Sequence, residues 1–191
     1  MPTITAEWDR SLISVLRSPG LERALVRVTR AAGGDAIRAA RVASSRRVRE
    51  RKSIRVSRVS RALVLSYPRS ARSLDDLVWI ERVSSAMTPI AGLPKRQTRR
   101  GVNFSINKGK RSLIPGAFVQ KMRSGHVGVF HRTGEKIGLK GGRRPFTELF
   151  SSRVIDVFRD DGMPATVLSR AQSVFAATFS RLLPLEIAKA K

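Results

Sequence analysis

Arg111–Lys136 reads RSLIPGAFVQKMRSGHVGVFHRTGEK. Two short runs of alternating apolar residues, Ala117–Met122 and Val127–His131, flank Arg123-Ser124-Gly125, which has turn composition. This pattern predicts a β-hairpin near residues 116–132. The stretch carries two histidines and one acid, Glu135, among several Lys and Arg residues. Pro115 cannot donate to a strand ladder and is expected at a strand entrance, with Gly116 allowing the sharp turn beside it. Ala117, Val119 and Lys121 should then face opposite Phe118, Gln120 and Met122.

Working outward, Val102, Phe104 and Ile106 alternate with Asn103, Ser105 and Asn107, as in a strand with one buried face. Gly92–Arg100 reads as loop. Ala62–Tyr67 and Leu77–Val83 read as strands joined by a polar connection over Pro68–Asp76. The expectation is a small antiparallel sheet of four or five strands. On its N-terminal side, Ser18-Pro19-Gly20 is a helix start, and Leu21, Leu25, Val28 and Ala32 follow at helical spacing. Gly33-Gly34 is expected to break that helix, and Asp35 to cap a second one running into the basic residues 46–52. Ser53 can cap a further short turn. Glycines 134, 138, 141 and 142 mark an exposed loop, and Thr147–Phe158 reads as irregular or a short helix. Pro164 begins a last helix through Val167, Leu168, Ala171, Phe175, Phe179 and Leu182, which Pro184 should end or kink. The class is α+β: basic N-terminal helices over 1–61, a sheet core over 62–160 and a C-terminal helix over 161–191, as one domain with extensions.

The charge is the outlier of the composition. Thirty-eight Lys and Arg against 14 Asp and Glu give a net charge of +24 over 191 residues. Such a chain repels itself and attracts anions. The excess is localised: ten basic residues against Glu50 between Arg38 and Arg61, and seven with no acid between Gly92 and Arg111. The candidate interface residues are therefore Arg46, Arg47, Arg49, Arg51 and Lys52 in the first block. The second block supplies Arg96, Arg99, Arg100, Lys108, Lys110 and Arg111, and the hairpin adds Lys121 and Arg123. They suit phosphate contact, which neutralises a backbone without reading its sequence, and equally an acidic protein surface. Tyr67 and both tryptophans lie outside these blocks, so base stacking is not indicated. On a helix Arg47 and Arg51 share a face and Arg49 points nearly opposite, so one phosphate-facing stripe cannot use all five residues of the first block.

Catalytic and metal patterns are missing. There is no cysteine, hence no disulfide or thiolate-bound metal. His126 and His131, five apart, fall on opposite faces of a continuous strand and lack further His or Cys to complete a metal site. GEKIGLKGGRRP lacks the order of a phosphate-binding loop, and no serine stands in a nucleophile elbow. Asp75-Asp76 and Asp160-Asp161 read as caps or loop. The reading is a non-enzyme with no cofactor. No apolar run approaches the roughly 20 residues that span a bilayer. Glu7 and Asp9 stand where a signal peptide would be basic or apolar, so a cytoplasmic origin and no membrane partner are expected.

One resemblance unites these features. RQTRRGVNFSINKGKRSLIPGAFVQKMRSGHVGVFHRTGEK, Arg96–Lys136, resembles the minor tail protein Z family of lambda-like tailed bacteriophages. That family shows an arginine-rich lead-in, a "GV" strand, "IPGAF", a basic "SGH" turn and a "GVF" strand. Here these are Gly101-Val102, Ile114–Phe118, Met122–His126 and Gly128-Val129-Phe130, with Arg132 and Gly134 following. Pro145–Phe150 and Val154–Phe158 are similar to the family's next segment, with Phe150 in a tyrosine position and Gly138–Arg144 as an insertion. The N-terminal basic run VRERKSIRVSRVSRA is similar more loosely, so the likeness extends over roughly residues 20–160 and is strong over about 60 of them. It implies a virion protein, a tail-completion or neck component at the head-proximal end of the tail, assembled in the host cytoplasm. The implied partners are copies of itself in a sixfold ring, tail terminator, tail tube and head-connector proteins, and phage DNA in the channel. The alternative from another class is a free basic nucleic-acid-binding protein.

Overall fold

The computed structural model describes residues 19–68, 71–133, 145–159 and 163–190. Two compact units divide the chain. One comprises residues up to Arg46, Leu63–Val83 and Phe158 onward; the other comprises Arg47–Ala62 and Ser84–Val157. The class is mixed α and β, with a long N-terminal helix, several small antiparallel sheets and a C-terminal helix.

The N-terminal region forms one helix, α1 (Pro19–Arg51), where two were expected. It runs through Gly33-Gly34 because Gly33 is needed for packing: a Cβ there would overlap the indole of Trp79. Glycine costs a helix about 1 kcal/mol relative to alanine, but here it admits an indole that is only 5% exposed. Trp79, Leu77 and Ala71 form a cluster with Val26 and Ile37 of α1, and Leu65 and Leu74 pack against it. Asp35 is consequently no cap. It lies mid-helix, pairs with Arg38, and accepts a hydrogen bond from Thr178 Oγ1 at 3.3 Å.

Thr178 belongs to the C-terminal helix, α4 (Met163–Ala190), whose Met163, Val167 and Ala171 recur every four residues and are buried. Pro184 does not end it. Proline removes one intrahelical donor, while two turns of helix remain tethered near it: Glu186 pairs with Arg27 at 2.8 Å and with Lys189 at 2.7 Å. Both expected strands of this unit are present. β1 (Leu63–Ser66) pairs antiparallel with β2 (Ile80–Val83), Leu65 opposite Glu81. In the connection between them, Asp76 accepts the amide N–H groups of Arg72 and Ser73. Those backbone donors, with the Ser73 hydroxyl, hold its carboxyl below the usual range.

The second unit holds eight of the ten strands among the described residues, more than the four or five expected for the whole chain. A short helix, α2 (Val56–Ala62), follows α1, and β3 (Met87–Pro89) leads into a 3₁₀ turn at Ile90–Gly92. The stretch read as loop contains β4 (Lys95–Thr98), which pairs with β5 (Gly101–Phe104); β5 also pairs with β6 (Ser112–Pro115). A polar KRQT strand shows no apolar alternation, which is why it reads as loop.

Pro115 closes β6 and does not open β7. It sits opposite Gly101 on an edge strand, where its missing N–H costs no ladder bond. Gly116 then turns the chain with φ of 69°. The predicted hairpin is present as β7 (Phe118–Lys121) and β8 (Val127–Arg132), with Val119 opposite Val129.

Residues 146–153 form β9 (Phe146–Glu148) and β10 (Phe150–Arg153), paired to β8 and β3. They precede α3 (Val154–Arg159). Their two-residue alternation is short and half-exposed, hence the weak strand signal. Glycines 134, 138, 141 and 142, Asp160-Asp161 and the 138–144 insertion lie outside the described residues.

Candidate functional site

All the candidate basic residues except Arg46 fall in the second unit. Two blocks that are more than forty residues apart in sequence meet there. Lys52 and Asn107 form an antiparallel bridge, with Lys52 Nζ donating to Asn107 Oδ1 at 2.9 Å. Ser53 N–H donates to Ile106 O at 2.8 Å, and Lys108 N–H to Arg51 O at 3.0 Å. These bonds seat the C-terminal end of α1 on the β5–β6 loop, so Arg51 and Lys52 lie beside Lys108. Within α1, Arg47 pairs with Glu50 at 3.2 Å, which offsets its charge locally.

The second block lines an open groove of about 1020 Å³ on the β4–β5–β6 sheet. Arg96, Arg99 and Arg111 reach it, together with Gln97, Asn103 and Lys95, and no lining residue is acidic. Lys95, outside the candidate set, donates from Nζ to Ala91 O at 2.6 Å. Arg96, Arg99 and Arg111 are exposed, and no side chain among the described residues pairs with them. Arg99-Arg100 is the tight turn of the β4–β5 hairpin, because Thr98 and Gly101 are partners. Arg100 does not line the groove; its carbonyl accepts from Gly116 N–H at 3.0 Å. Lys108 and Lys110 are exposed on the neighbouring loop.

Lys121 and Arg123 belong to a separate, more apolar hollow of about 720 Å³, lined also by Phe118, Met122, Arg132 and Phe146. Phe118, Phe130 and Phe146 form an aromatic triad with centroids 5.2–6.1 Å apart. The Arg132 guanidinium lies 5.5 Å above the Phe118 ring, a cation–π contact. The triad unites β7, β8 and β9, and His126 Nε2 lies 3.0 Å from Glu148 Oε1 across the same sheet. Gln97 Oε1 accepts the Val119 N–H at 2.9 Å, tying β4 to β7. The residues singled out in the hairpin and in 145–150 thus meet one another, and their geometry is that of a scaffold.

Among the described residues no group of three or more His, Cys, Asp or Glu could hold a metal. In the other unit one half-buried carboxylate, Glu81, stands out. Ser44 Oγ donates to Glu81 Oε2 at 3.1 Å, while Glu81 Oε1 has no partner among the described residues. Burial pushes this carboxyl up, and the Ser44 hydroxyl and the Arg41 charge partly counter it. Glu81 faces α4 through a small cavity of about 30 Å³.

Arg55, Arg58 and Arg61, counted in the first basic block but outside the candidate set, line a further pocket of about 400 Å³. The three-residue spacing of RVSRVSR was the available signal. Among the described residues no helix is long and apolar enough to cross a membrane. No protein-family model, curated protein or solved structure matches the chain.

Proposed function

We propose that the chain is a structural virion protein of a tailed phage, a tail-completion or neck component at the head-proximal end of the tail. In this reading it assembles as a sixfold ring, joins tail to head and helps position the DNA end for ejection. It contacts tail terminator, tail tube and head-connector proteins and carries no catalytic step.

The observation that carries the reading is the convergence of the resembling segments. The "IPGAF", "SGH" and "GVF" segments lie in one stretch, residues 114–130, and the 145–150 segment follows it across an intervening stretch of chain. In the fold they are neighbours: Phe118, Phe130 and Phe146 share one aromatic triad, and His126 reaches Glu148. A chance likeness of two generic strands would not require the third segment to pack on the first two. Charge supports the assembly role, because a ring gathers the basic surfaces of its subunits and is tolerable only beside anionic partners.

A free nucleic-acid-binding protein is the second reading, favoured by the acid-free groove of Arg96, Arg99 and Arg111. Deletion of the gene distinguishes the two. The virion reading expects filled heads and tails of normal length that fail to join, with few infective particles. Tails of abnormal length, or a mutant phage that assembles normally, contradict it.

A further inference from the structure

We propose that the pocket beside α2 is a phosphate-binding site built by Arg55, Arg58 and Arg61. Positions three apart on a helix fall on one side, and RVSRVSR repeats arginine at that interval while Val59, 0% exposed and about 100° round the helix from Arg58, anchors the helix to the core. The Arg55 carbonyl accepts the N–H groups of Arg58 and Val59, so Arg55 caps the helix and its side chain joins the same row.

All three side chains line one pocket of about 400 Å³, walled also by Ser57, Ser84, Thr88 and Gly92. None of the lining residues is acidic, and among the described residues no side chain pairs with any of the three guanidiniums. Three like charges around one concavity repel each other, and an anion held between them reverses that cost. Guanidinium presents a planar fork of donors that matches phosphate oxygens.

The Arg58 guanidinium lies close against the Gly92 backbone: a Cβ there would stand 2.8 Å from Nη1 and displace the tip of that side chain. Ser84 Oγ accepts the Ala86 N–H at 3.2 Å, which leaves its own hydrogen to donate to an oxyanion. The volume is at the lower end of the roughly 300–1,000 Å³ of small-ligand sites. It holds a phosphate with its substituents against the exposed side chain of Met87. The phosphate comes either from a nucleic-acid backbone or from free phosphate. This inference does not depend on the virion reading.

The experiment uses the full chain with two probes, inorganic phosphate and a short duplex DNA. Phosphate is titrated while the Nε–H signals of the arginines are followed by NMR, and duplex affinity is measured across a salt series. Saturable movement of the Arg55, Arg58 and Arg61 signals, weakened in Gly92→Ala, is expected. Arg58→Gln should lower the slope of log K against log salt by about 0.9, the contribution of one neutralised phosphate. Signal movement with an unchanged slope assigns the site to free phosphate; a lowered slope without movement assigns it to the backbone. An unchanged slope in Arg58→Gln, with no movement of any of the three signals in the wild-type protein, overturns the proposal. If Arg58→Gln fails to fold, Arg61→Gln replaces it in the salt series.

Discussion

Gly33 and Trp79 share one space: the indole occupies the volume that a Cβ at Gly33 would fill. This contact explains why a Gly-Gly pair sits inside a 33-residue helix. It predicts opposite signs for two neighbouring substitutions. Gly33→Ala should destabilise by about 1–3 kcal/mol, the range of overpacking in a closed core. Gly34→Ala, where a Cβ meets only the tip of Arg38 at 3.8 Å, should gain up to about 1 kcal/mol from helix propensity. Denaturant unfolding of both variants checks this, and a stabilised Gly33→Ala contradicts the packing.

Glu81 makes stability depend on pH in a defined direction. Burial raises its carboxyl above the ordinary value of 4.5, so the folded chain holds that proton more tightly than the unfolded chain does. The resulting penalty is absent below the unfolded value, grows as pH rises through the folded value, and is constant above it. Glu81→Gln should therefore become progressively more stabilising, relative to wild type, between pH 4 and pH 7. Thermal melts across that range read it, and a difference that is flat or falls with pH is inconsistent with a partly desolvated carboxylate.

Gly101 combines a φ of 148° with a Cβ direction that points into the Ile114 carbonyl. Any side chain there must push β6 away from β5. Gly101→Ala should cost about 1–3 kcal/mol from backbone strain alone. Amide exchange of β5 and β6 should accelerate, while β1 and β2 in the other unit are unaffected. Unchanged protection of Val102 would rule this out.

The groove residues and the α1 residues are separable by charge. Arg96→Gln, Arg99→Gln and Arg111→Gln together should lower the salt slope of duplex binding by up to about 3, since each phosphate contact contributes about 0.9. Arg47→Glu with Arg51→Glu, set against Arg49→Glu, tests whether opposite faces of α1 serve different partners. The two are scored by head–tail joining and by DNA retention. Equal effects on joining and none on retention leave a division of faces without support.

How far the sequence could be read follows from which interactions are local. Helical spacing of Leu21, Leu25, Val28 and Ala32, the β7–β8 alternation and the strand patterns of β1 and β2 are local, and all of these elements are present. Gly33-Gly34 misleads because its reason is Trp79, forty-six residues away. The strand at Lys95–Thr98 is polar and defined by its partner β5, so no periodicity announces it. Basic residues were legible as a class, but not as surfaces. That Arg51 and Lys52 would meet Lys108 depends on the Lys52–Asn107 bridge, and that Arg96, Arg99 and Arg111 would share a groove depends on β4 being a strand. The RVSRVSR spacing was visible, and only the pocket wall supplied by Ser84–Gly92 gives it meaning.

The central claim is tested most directly by locating the protein in phage particles, with cryo-electron microscopy of virions and antibody-gold labelling of isolated tails. A closed ring at the head-proximal end of the tail is the predicted result. A single off-axis copy, density confined to the distal fibres, or absence from purified particles would contradict it.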